Sequence, residues 1–429
     1  MKLRKYISLI VFLAGSYAVQ AQEEKYVDER EKKYIDDQPQ DVYNPHTTLF
    51  TTQANLQHHL GGYKTIAEDT TINGLHRFTF LQRYGNQWQN LGNNGTAAKP
   101  IFYVLPSQIG ATSGFYVYDI YFRSPEQFRY YDTKSPYSHM YVVLARFGSF
   151  LGDICHSRNV TPNWNIGASF RHMMTDIEWI PSRVPGDRNV ISNGLDLFTH
   201  YKTDDESYQF LAHGLLMDHR VRETGGIFDP EGISNPGNYK SSKQLIKEKN
   251  IFSRLHGQVE TKDTRKRFHV YHQWMWSEPL GVYHELQLQQ VRHLSKFPKR
   301  LGDFWLRTEE KDQANAQEAA QGDALEHTTD VWHAHNELGF KGDWQDLFYS
   351  GYYRHKNITL KQREEKDNQD LHEHYVGLRT RYNVLGGTDF VHLSGEYMLE
   401  GLYKAKVAYE HPLFDLACER VKFKPPFLA

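Results

Sequence analysis

Two histidine pairs are the residues of this chain whose spacing could do chemistry. His333-Ala-His335 and His372-Glu-His374 each place two imidazoles two positions apart. On a β-strand such positions share one face, so each pair could offer two nitrogen ligands to a metal ion. A closed metal site needs three or four ligands, and the sequence specifies no third. Because the chain contains 23 histidines, such pairs also arise by chance. We interpret both pairs as histidines that lie at a membrane interface or in the water-filled lumen of a barrel, and we expect no metal.

Adjacent carboxylates are the second candidate. Glu309-Glu310 and Asp204-Asp205-Glu206 could imitate a catalytic acid pair. They stand in charge-rich, loop-like segments, so we interpret them as solvated surface. The sequence contains no Gly-Lys-Ser/Thr phosphate loop, no Gly-x-Ser-x-Gly elbow and no His-Glu-x-x-His motif. These observations predict a protein that is not an enzyme and holds no cofactor.

The elements that must position any such residues are β-strands. Between Trp164 and His172, large or apolar residues alternate with polar or small ones, and this period of two is typical of a strand. The same alternation recurs along the chain from about residue 137. The predicted strands are 138–147, 150–157, 164–172, 190–202, 208–217, 251–261, 267–276, 282–291, 301–308, 331–341, 347–360, 371–383, 390–399, 402–410 and 414–423.

Each predicted strand has an apolar and a polar face, and two settings produce that pattern. A soluble sandwich turns the apolar face inward, whereas a transmembrane barrel turns it towards lipid and lines a wet lumen with the polar face. The 14% aromatic content and the mean hydropathy of −0.68 favour the barrel. The predicted lumen-facing residues are Arg171, Arg254, Gln258, Glu260, Arg379, Arg381 and Glu396. The predicted lipid-facing residues are Ile166, Ala168, Phe170, Val391, Leu393 and Tyr397.

These faces have consequences for substitution and for transport. We expect arginine to cost about 2–4 kcal/mol at a lipid-facing position such as Ala168 and little at Ser169 on the polar face. The charges of that polar face could tune the passage of ions by their local field, or they could serve only the solubility of a wet surface.

The chain divides into four predicted regions. Residues 1–21 have a basic start, an apolar core and small residues before Ala21, which indicates a secretory signal cleaved after Ala21. Residues 22–49 form a charged flexible tail. Residues 50–136 are rich in Gly and aromatic residues and are expected to act as a plug or to pack in the periplasm. Residues 137–429 carry the strands, so we predict an all-β outer-membrane protein.

Charge and cysteine content limit the possible partners. The chain has 50 basic and 52 acidic residues, so no global basic field favours nucleic acid. The expected partners are outer-membrane lipid and small polar solutes, with a protein partner unidentified. Two cysteines, Cys155 and Cys418, do not make a disulfide scaffold. We interpret both as free, small apolar residues, although the sequence also allows one disulfide bridge between them.

The connections predict both an orientation and a strand count. Short connections are expected near 203–207, 262–266, 342–346, 384–389 and 411–413. Long ones are expected near 173–189, 218–250 and 309–326, on the outer side. We place a strand at 301–308 so that connections on the short side and connections on the long side continue to alternate along the chain. The result is an antiparallel transmembrane β-barrel of about 14–16 strands, counted as 15. Single-chain bacterial barrels have even numbers of strands, so we expect the chain to be incomplete at its C-terminus.

Several motifs resemble those of a known family. They are His76-Arg-Phe, Leu91-Gly-Asn-Asn-Gly95, the run from Phe128 to Pro136, Asn159-Val-Thr-Pro, Thr224-Gly-Gly-Ile227 and Asn336-Glu-Leu-Gly. From about residue 70 onwards, the chain resembles the Bacteroidetes-type putative porin family. The resemblance implies an outer-membrane β-barrel with a pore role, and it supplies no catalytic residue. We therefore expect a porin-like channel for passive diffusion of small polar solutes. The alternatives are a non-conducting barrel that acts as a binding or assembly scaffold, and a soluble exported carbohydrate-binding β-protein.

Overall fold

The computed structural model describes residues 47–58, 65–69, 76–145, 149–176, 188–223, 259–297, 325–362, 369–384 and 389–425. The predicted signal peptide and most of the charged tail lie outside these residues. We call the described residues between 47 and 136 the N-terminal segment. Its elements are β1 (Thr48–Thr51), α1 (Gln53–His58), β2 (Ile66–Ala67), α2 (Phe80–Arg83), β3 (Trp88–Asn90), β4 (Ala98–Pro100), a 3-10 helix (Asp119–Tyr121) and β5 (Tyr130–Thr133).

A sheet of 13 antiparallel strands follows the N-terminal segment, and each strand pairs with its neighbour in sequence. The fold class is therefore all-β and antiparallel, as predicted. Within the described residues, the outermost strands of the sheet are not paired with each other, so the barrel is not closed there. The strands are β6 (Tyr137–Leu144), β7 (Phe150–Thr161), β8 (Trp164–Asp176), β9 (Arg188–Lys202), β10 (Tyr208–Glu223), β11 (Val259–Ser277), β12 (Leu280–Phe297), β13 (Leu325–Trp344), β14 (Leu347–Gln362), β15 (Gln369–Val384), β16 (Asp389–Met398), β17 (Leu402–His411) and β18 (Phe414–Lys422).

Strand β11 takes the place of two predicted strands, so the predicted number of strands needs correction. The predicted strands 251–261 and 267–276, with a turn at 262–266, are wrong, because residues 259–277 form one continuous strand. The run Lys262–Lys266 looks like a turn in sequence because it is so polar. In the structure it pairs with both β10 and β12, and Asp263 and Arg265 form a buried ion pair on one face. The predicted strand at 301–308 lies outside the described residues.

The connections between strands differ at the two ends of the sheet. One end, which we call the short-turn end, has the connections 162–163, 203–207, 278–279, 345–346, 385–388 and 412–413. The other, the long-loop end, has the connections 145–149, 177–187, 224–258, 298–324, 363–368 and 399–401. With β11 as one strand, the stretch 298–324 falls at the long-loop end, so the alternation needs no strand at 301–308. All three long connections lie at one end of the sheet, as predicted, although three short ones lie there too.

The two faces of the sheet differ in what covers them. The N-terminal segment packs against one face, which we call the covered face, and we call the opposite one the bare face. The bare face exposes large apolar side chains, such as Trp276 at 61%, Leu338 at 61% and Trp344 at 66%. The covered face buries polar ones, such as Asp263 and Glu337 at 0%. A soluble sandwich would show the opposite arrangement, with its apolar side chains buried and its polar side chains exposed. Among the described residues, no helix is both long and apolar enough to span a membrane.

Aromatic side chains hold the N-terminal segment on β7–β10. Tyr121 and Phe80 pack with Leu151, Met173 and Val190 in one buried cluster. A second cluster joins Phe128 and Tyr130 to Phe198, Leu211 and Tyr271. Complete burial of such side chains stabilises a fold by about 1.5–3 kcal/mol each. The segment also approaches very closely at Gly95 (φ 93°), where a Cβ atom would lie 2.6 Å from Cγ1 of Val190.

Both cysteines are free, as predicted. Cys155 is buried on the covered face of β7. Cys418 is exposed on β18, in register with Val407, whose side chain is exposed on the bare face. Since neighbouring residues across an antiparallel pair share a face, the two thiols lie on opposite faces of the sheet.

Candidate functional site

The N-terminal segment leaves a cavity of about 770 Å³ against the covered face of strands β11–β17. Its roof comes from residues 107–109 and 119–126, and its floor comes from inward-facing residues of the strands. The floor is polar because alternate residues of each strand point to this side. The cationic lining residues are Arg123, Arg265, Arg267, Arg354, Arg379, Lys356, Lys404 and Lys406. The lining carboxylates are Asp119, Glu126, Glu285 and Glu396.

Arg354 lies at the centre of an ion-pair network on this floor. Its Nη1 is 2.7 Å from Oε2 of Glu396, and its Nη2 is 2.7 Å from Oε2 of Glu337. The Tyr352 hydroxyl donates to Oε2 of Glu396 at 2.7 Å, and the guanidinium stands 5.0 Å from the Tyr352 ring centroid. Charge-assisted bonds of this kind are strong and directional, so they fix the arginine in one position.

Helix α1 docks onto two floor carboxylates through its glutamines. Gln53 Nε2 donates to Oε2 of Glu285 at 2.6 Å, and Gln57 Nε2 donates to Oε1 of Glu337 at 3.0 Å. His269 completes the contact at 2.5 Å from Oε1 of Gln53. An isolated helix of 6 residues is unstable in water. These tertiary hydrogen bonds therefore help to keep α1 helical and in place.

Among the residues that the structure describes, Glu285, His335 and Glu337 form a set that could hold a metal ion. One ligand atom from each lies within 4.8 Å of the others. However, Oε2 of Glu337 also accepts from Nε of Arg354 at 2.8 Å, and its Oε1 accepts from Tyr283 at 2.9 Å. The guanidinium already supplies the counter-charge, so a metal ion would have to displace it. We therefore interpret the set as part of the ion-pair network.

The two histidine pairs lie on opposite faces of the sheet. His333 and His335 face the cavity. His372 and His374 lie on the bare face of β15, where His355 of β14 stacks on His374 with ring centroids 4.7 Å apart. His372 and His355 are also nearly parallel, with their ring centroids 6.1 Å apart. Face-to-face stacking does not converge ring nitrogens on a common point, so this triplet has the geometry of packed rings.

A second ion-pair group fastens the N-terminal segment to β7–β9. Arg123 Nη2 is 2.7 Å from Oδ2 of Asp153, and Arg123 Nη1 is 3.1 Å from Oδ2 of Asp196. Arg171 also binds Asp153, at 2.9 Å. Burial lowers the pKa of Arg123, but the carboxylates of Asp153 and Asp196 outweigh it and raise that pKa above its usual value.

Nearby, Asp119 pairs with Arg265 at 2.7 Å. Burial nevertheless raises the pKa of Asp119, against the opposing effect of that arginine. Because Arg265 belongs to β11, this ion pair with Asp119 connects the 3-10 helix to β11 at the border of the cavity.

Four of the residues predicted to face a lumen lie on the covered face: Arg171, Arg379, Arg381 and Glu396. The Arg379 guanidinium stands 4.8 Å from the Tyr352 ring centroid, and that of Arg381 stands 3.7 Å from the Phe390 ring centroid. The assignment of Glu260 is wrong. In the continuous strand β11 the odd-numbered residues face the N-terminal segment, so Glu260 lies on the bare face. Arg254 and Gln258 lie outside the described residues.

All six residues predicted to face lipid lie on the bare face. Ile166, Phe170, Leu393 and Tyr397 are between 37% and 49% exposed, and Ala168 and Val391 are half-buried. Their contact with lipid stays a prediction.

One related expectation needs correction. Ser169 is buried, donates to Asp196 and accepts from Arg123, so arginine there is not harmless.

The sequence alone did not single out Arg123, Lys356, Arg267, Glu285 or Gln53. For the strand residues a signal existed, because Arg267 and Glu285 occupy polar-face positions of segments that were predicted as strands. No such signal existed for Arg123 and Gln53. They come from the irregular segment, where side-chain direction does not follow from a period.

Comparison with known proteins gives one family and several distant structures. A family model described as Putative porin matches residues 51–409. No curated protein matches the chain. A ferric enterobactin receptor variant from Pseudomonas aeruginosa, in complex with enterobactin, is 12% identical with a TM-score of 0.39. That match covers 66% of this chain and 43% of the receptor, so this chain spans less than half of the receptor's length.

A FadL homologue from Pseudomonas aeruginosa is also similar. It is 10% identical with a TM-score of 0.31, and the match covers 64% of this chain and 69% of the homologue. Neither similarity is close enough to carry an argument about function.

Proposed function

The chain belongs to the putative porin family, and we propose that it forms an outer-membrane channel for passive diffusion of small polar solutes. In this proposal the covered face lines the lumen, and the N-terminal segment fills part of it. The observation that carries the proposal is the charged cavity of about 770 Å³ on the covered face, opposite a bare face with exposed apolar side chains. No bond is made or broken, and no cofactor takes part.

The physics of a bilayer supports this assignment of the faces. A strand that crosses a membrane must present apolar side chains to lipid, and its backbone must be satisfied by neighbouring strands. The bare face supplies such side chains on most strands, and the 13-stranded ladder supplies the backbone pairing. Export through the predicted signal peptide, with cleavage after Ala21, is part of the same proposal.

Conductance across a planar bilayer tests the proposal. The purified full chain should give stepwise current in potassium chloride. Ser394 lines the cavity, whereas its neighbour Leu393 is 48% exposed on the bare face. Ser394→Trp should therefore reduce the step size, and Leu393→Trp should leave it unchanged. Absence of current from a folded chain, or equal effects of the two variants, would contradict the proposal.

A non-conducting barrel that acts as a binding or assembly scaffold is the second candidate. The observation that favours it is the fastening of the N-terminal segment by ion pairs and aromatic clusters on β7–β10. A segment held so firmly could block the lumen permanently. Silent bilayers, together with a protein partner recovered by affinity purification, would support this candidate instead of the channel.

A further inference from the structure

The cations that line the cavity do not all have the same partners. Arg123, Arg265, Arg354 and Lys404 each lie within 3.2 Å of a carboxylate oxygen, from Asp153, Asp263, Glu337 and Glu419 respectively. These four are compensated by the protein itself. The other cations of the lining are Arg267, Lys356, Arg379 and Lys406.

Arg267 and Lys356 have only uncharged hydrogen-bond partners within the described part of the chain. Arg267 donates to Oε1 of Gln289 at 3.1 Å and to the backbone oxygen of Arg123 at 2.7 Å. Lys356 donates to Oε1 of Gln108 at 2.8 Å and to the backbone oxygen of Ala111 at 3.3 Å. Lys356 is only 7% exposed. A buried charge with neutral partners is costly unless water or a counter-ion compensates it.

The carboxylate opposite Lys356 in the ladder makes its hydrogen bonds to other groups. Glu373 lies directly across from Lys356 in the β14–β15 register. Its two oxygens accept instead from the backbone N–H of Ala111 and from the Tyr375 hydroxyl. The structure thus keeps Glu373 bound to the N-terminal segment, and the Lys356 ammonium faces the cavity.

Uncharged groups with hydrogen-bonding capacity connect the two cations. In the register, Arg267 is opposite Gln289, Gln289 is opposite His333, and Lys356 is opposite His335. The Nδ1 atom of His333 is buried and has no hydrogen-bond partner within the described residues. The Nε2 atom of His335 lies 3.7 Å from Oε2 of Glu337 and 3.9 Å from Oε1 of Glu285. The floor is therefore a row with a cation at each end and the free Nδ1 atom of His333 between them.

We infer that this row, from Arg267 to Lys356, is a binding site for the anionic oxygen groups of a small solute, and that the channel prefers anions. The inference rests on the proposed function for its transport part. A carboxylate or phosphate that enters the cavity would give Arg267 and Lys356 a direct ion-pair partner, which neither has among the described residues. Carboxylates and phosphates share this chemistry, so the experiment separates them.

Reversal potentials in a potassium chloride gradient test the preference. The full chain should pass chloride in preference to potassium. The double variant Arg267→Gln/Lys356→Gln should lose about fivefold or more of that preference, which is what one unit charge contributes near contact in water. Lys266→Gln is the matched control, because Lys266 adjoins Arg267 but is exposed on the bare face. A preference for potassium, or equal effects of the double variant and the control, would overturn the inference.

Equilibrium titration of the detergent-solubilised full chain gives a readout that needs no current. Inorganic phosphate and citrate are titrated separately. The anion that binds with the higher affinity identifies the class, phosphate or carboxylate. We expect saturable binding to the natural chain and to Lys266→Gln, with at least fivefold weaker binding to the double variant. If the bilayers are silent but this binding pattern holds, the channel proposal fails and the anion site stands. If neither anion binds, the anion site is refuted even when current is observed.

Discussion

The covered face of the sheet has two regions that meet the N-terminal segment differently. On β7–β10, which we call the anchor region, rings fill the space and the cations are paired, as Arg123 is with Asp153 and Asp196. On β11–β17, which we call the cavity region, space remains, and Arg267 and Lys356 have neutral partners. The same alternation of residues builds both regions, so the difference lies in the side chains that the N-terminal segment supplies.

The comparison shows how one polar face can hold a segment and still leave a passage. In the anchor region Phe128 stacks on His213 with ring centroids 4.6 Å apart, and the Tyr130 hydroxyl lies 2.7 Å from Nδ1 of His213. In the cavity region the roof contributes the short side chains of Ser107 and Ser124 as well as Gln108. Large rings exclude water, whereas short polar side chains leave room for it.

Loss of Arg123 should break the anchor region most severely. Arg123→Ala leaves Asp153 with Arg171 alone and leaves Asp196, which is 5% exposed, without an arginine. Removing one partner of a buried ion pair costs about 3–5 kcal/mol. We expect the free energy of unfolding, measured in urea with the protein in lipid vesicles, to fall by about 3 kcal/mol. Arg129→Ala is the control, because Arg129 is 52% exposed and pairs with Glu68, and exposed pairs contribute under about 1 kcal/mol. Equal losses would show that the anchor is not electrostatic.

A pair of arginine substitutions tests the faces in the cavity region. Leu393→Arg places a charge on the bare face, and Ser394→Arg places one in the cavity. In lipid the first should cost about 2–4 kcal/mol. The second should cost about 1 kcal/mol, because Ser394 stands opposite the cations Arg379 and Lys406. The measurement is the unfolding free energy in vesicles. If Ser394→Arg proved as costly as Leu393→Arg, either the bare face does not meet lipid or the cavity is closed to long side chains.

The sequence predicted the sheet better than it predicted the site. Strand faces follow from a period of two, and for that reason Ile166 and Leu393 were correctly predicted to lie on the face opposite to that of Arg379. The error at Glu260 came from the polar run Lys262–Lys266, which has the composition of a turn. Its pairing depends on β10 and β12, which are distant in sequence, and local patterns do not contain that information.

The anchor could not be predicted from the sequence for a related reason. Arg123 meets Asp153 and Asp196 only because an irregular segment crosses three strands. Irregular backbone has no period that fixes the direction of a side chain. The buried state of Ser169 follows from the same crossing. Polar-face positions were therefore predictable, whereas their division into anchor and cavity was not.

A glycine tests how closely the segment approaches in the cavity region. A Cβ atom at Gly110 would collide with the Tyr375 hydroxyl and the Glu373 carboxylate. Gly110→Ala should therefore cost about 1–3 kcal/mol through overpacking and should loosen the roof, which raises conductance. Gly395→Ala is the matched control, because nothing lies within 4 Å of a Cβ atom there. A lower conductance for Gly110→Ala would mean that the roof settles deeper into the cavity when this contact is lost.

The smallest expected effect concerns acid and the edge of the anchor region. Asp132 of β5 binds Nζ of Lys202 at 2.8 Å and accepts from Nδ2 of Asn159 at 2.8 Å. Burial raises the pKa of Asp132, but the bonds from Lys202 and Asn159 outweigh burial and hold it below its ordinary value of 3.8. A carboxyl whose pKa is lowered by folding contributes stability above its ordinary pKa, and that contribution is lost as the pH falls through the folded value.

The contact should therefore be present at pH 6 and weakened near pH 3. We expect the natural chain to lose up to about 1 kcal/mol more of its unfolding free energy over this interval than Asp132→Asn does, since the pair is partly exposed. Asp370→Asn, at an exposed carboxylate of β15, controls for the general effect of acid and should follow the natural chain. If Asp132→Asn showed the same acid loss as the natural chain, Asp132 would not contribute to holding the N-terminal segment. The anchor would then rest on Arg123, the aromatic clusters and other hydrogen bonds such as that between Tyr130 and His213.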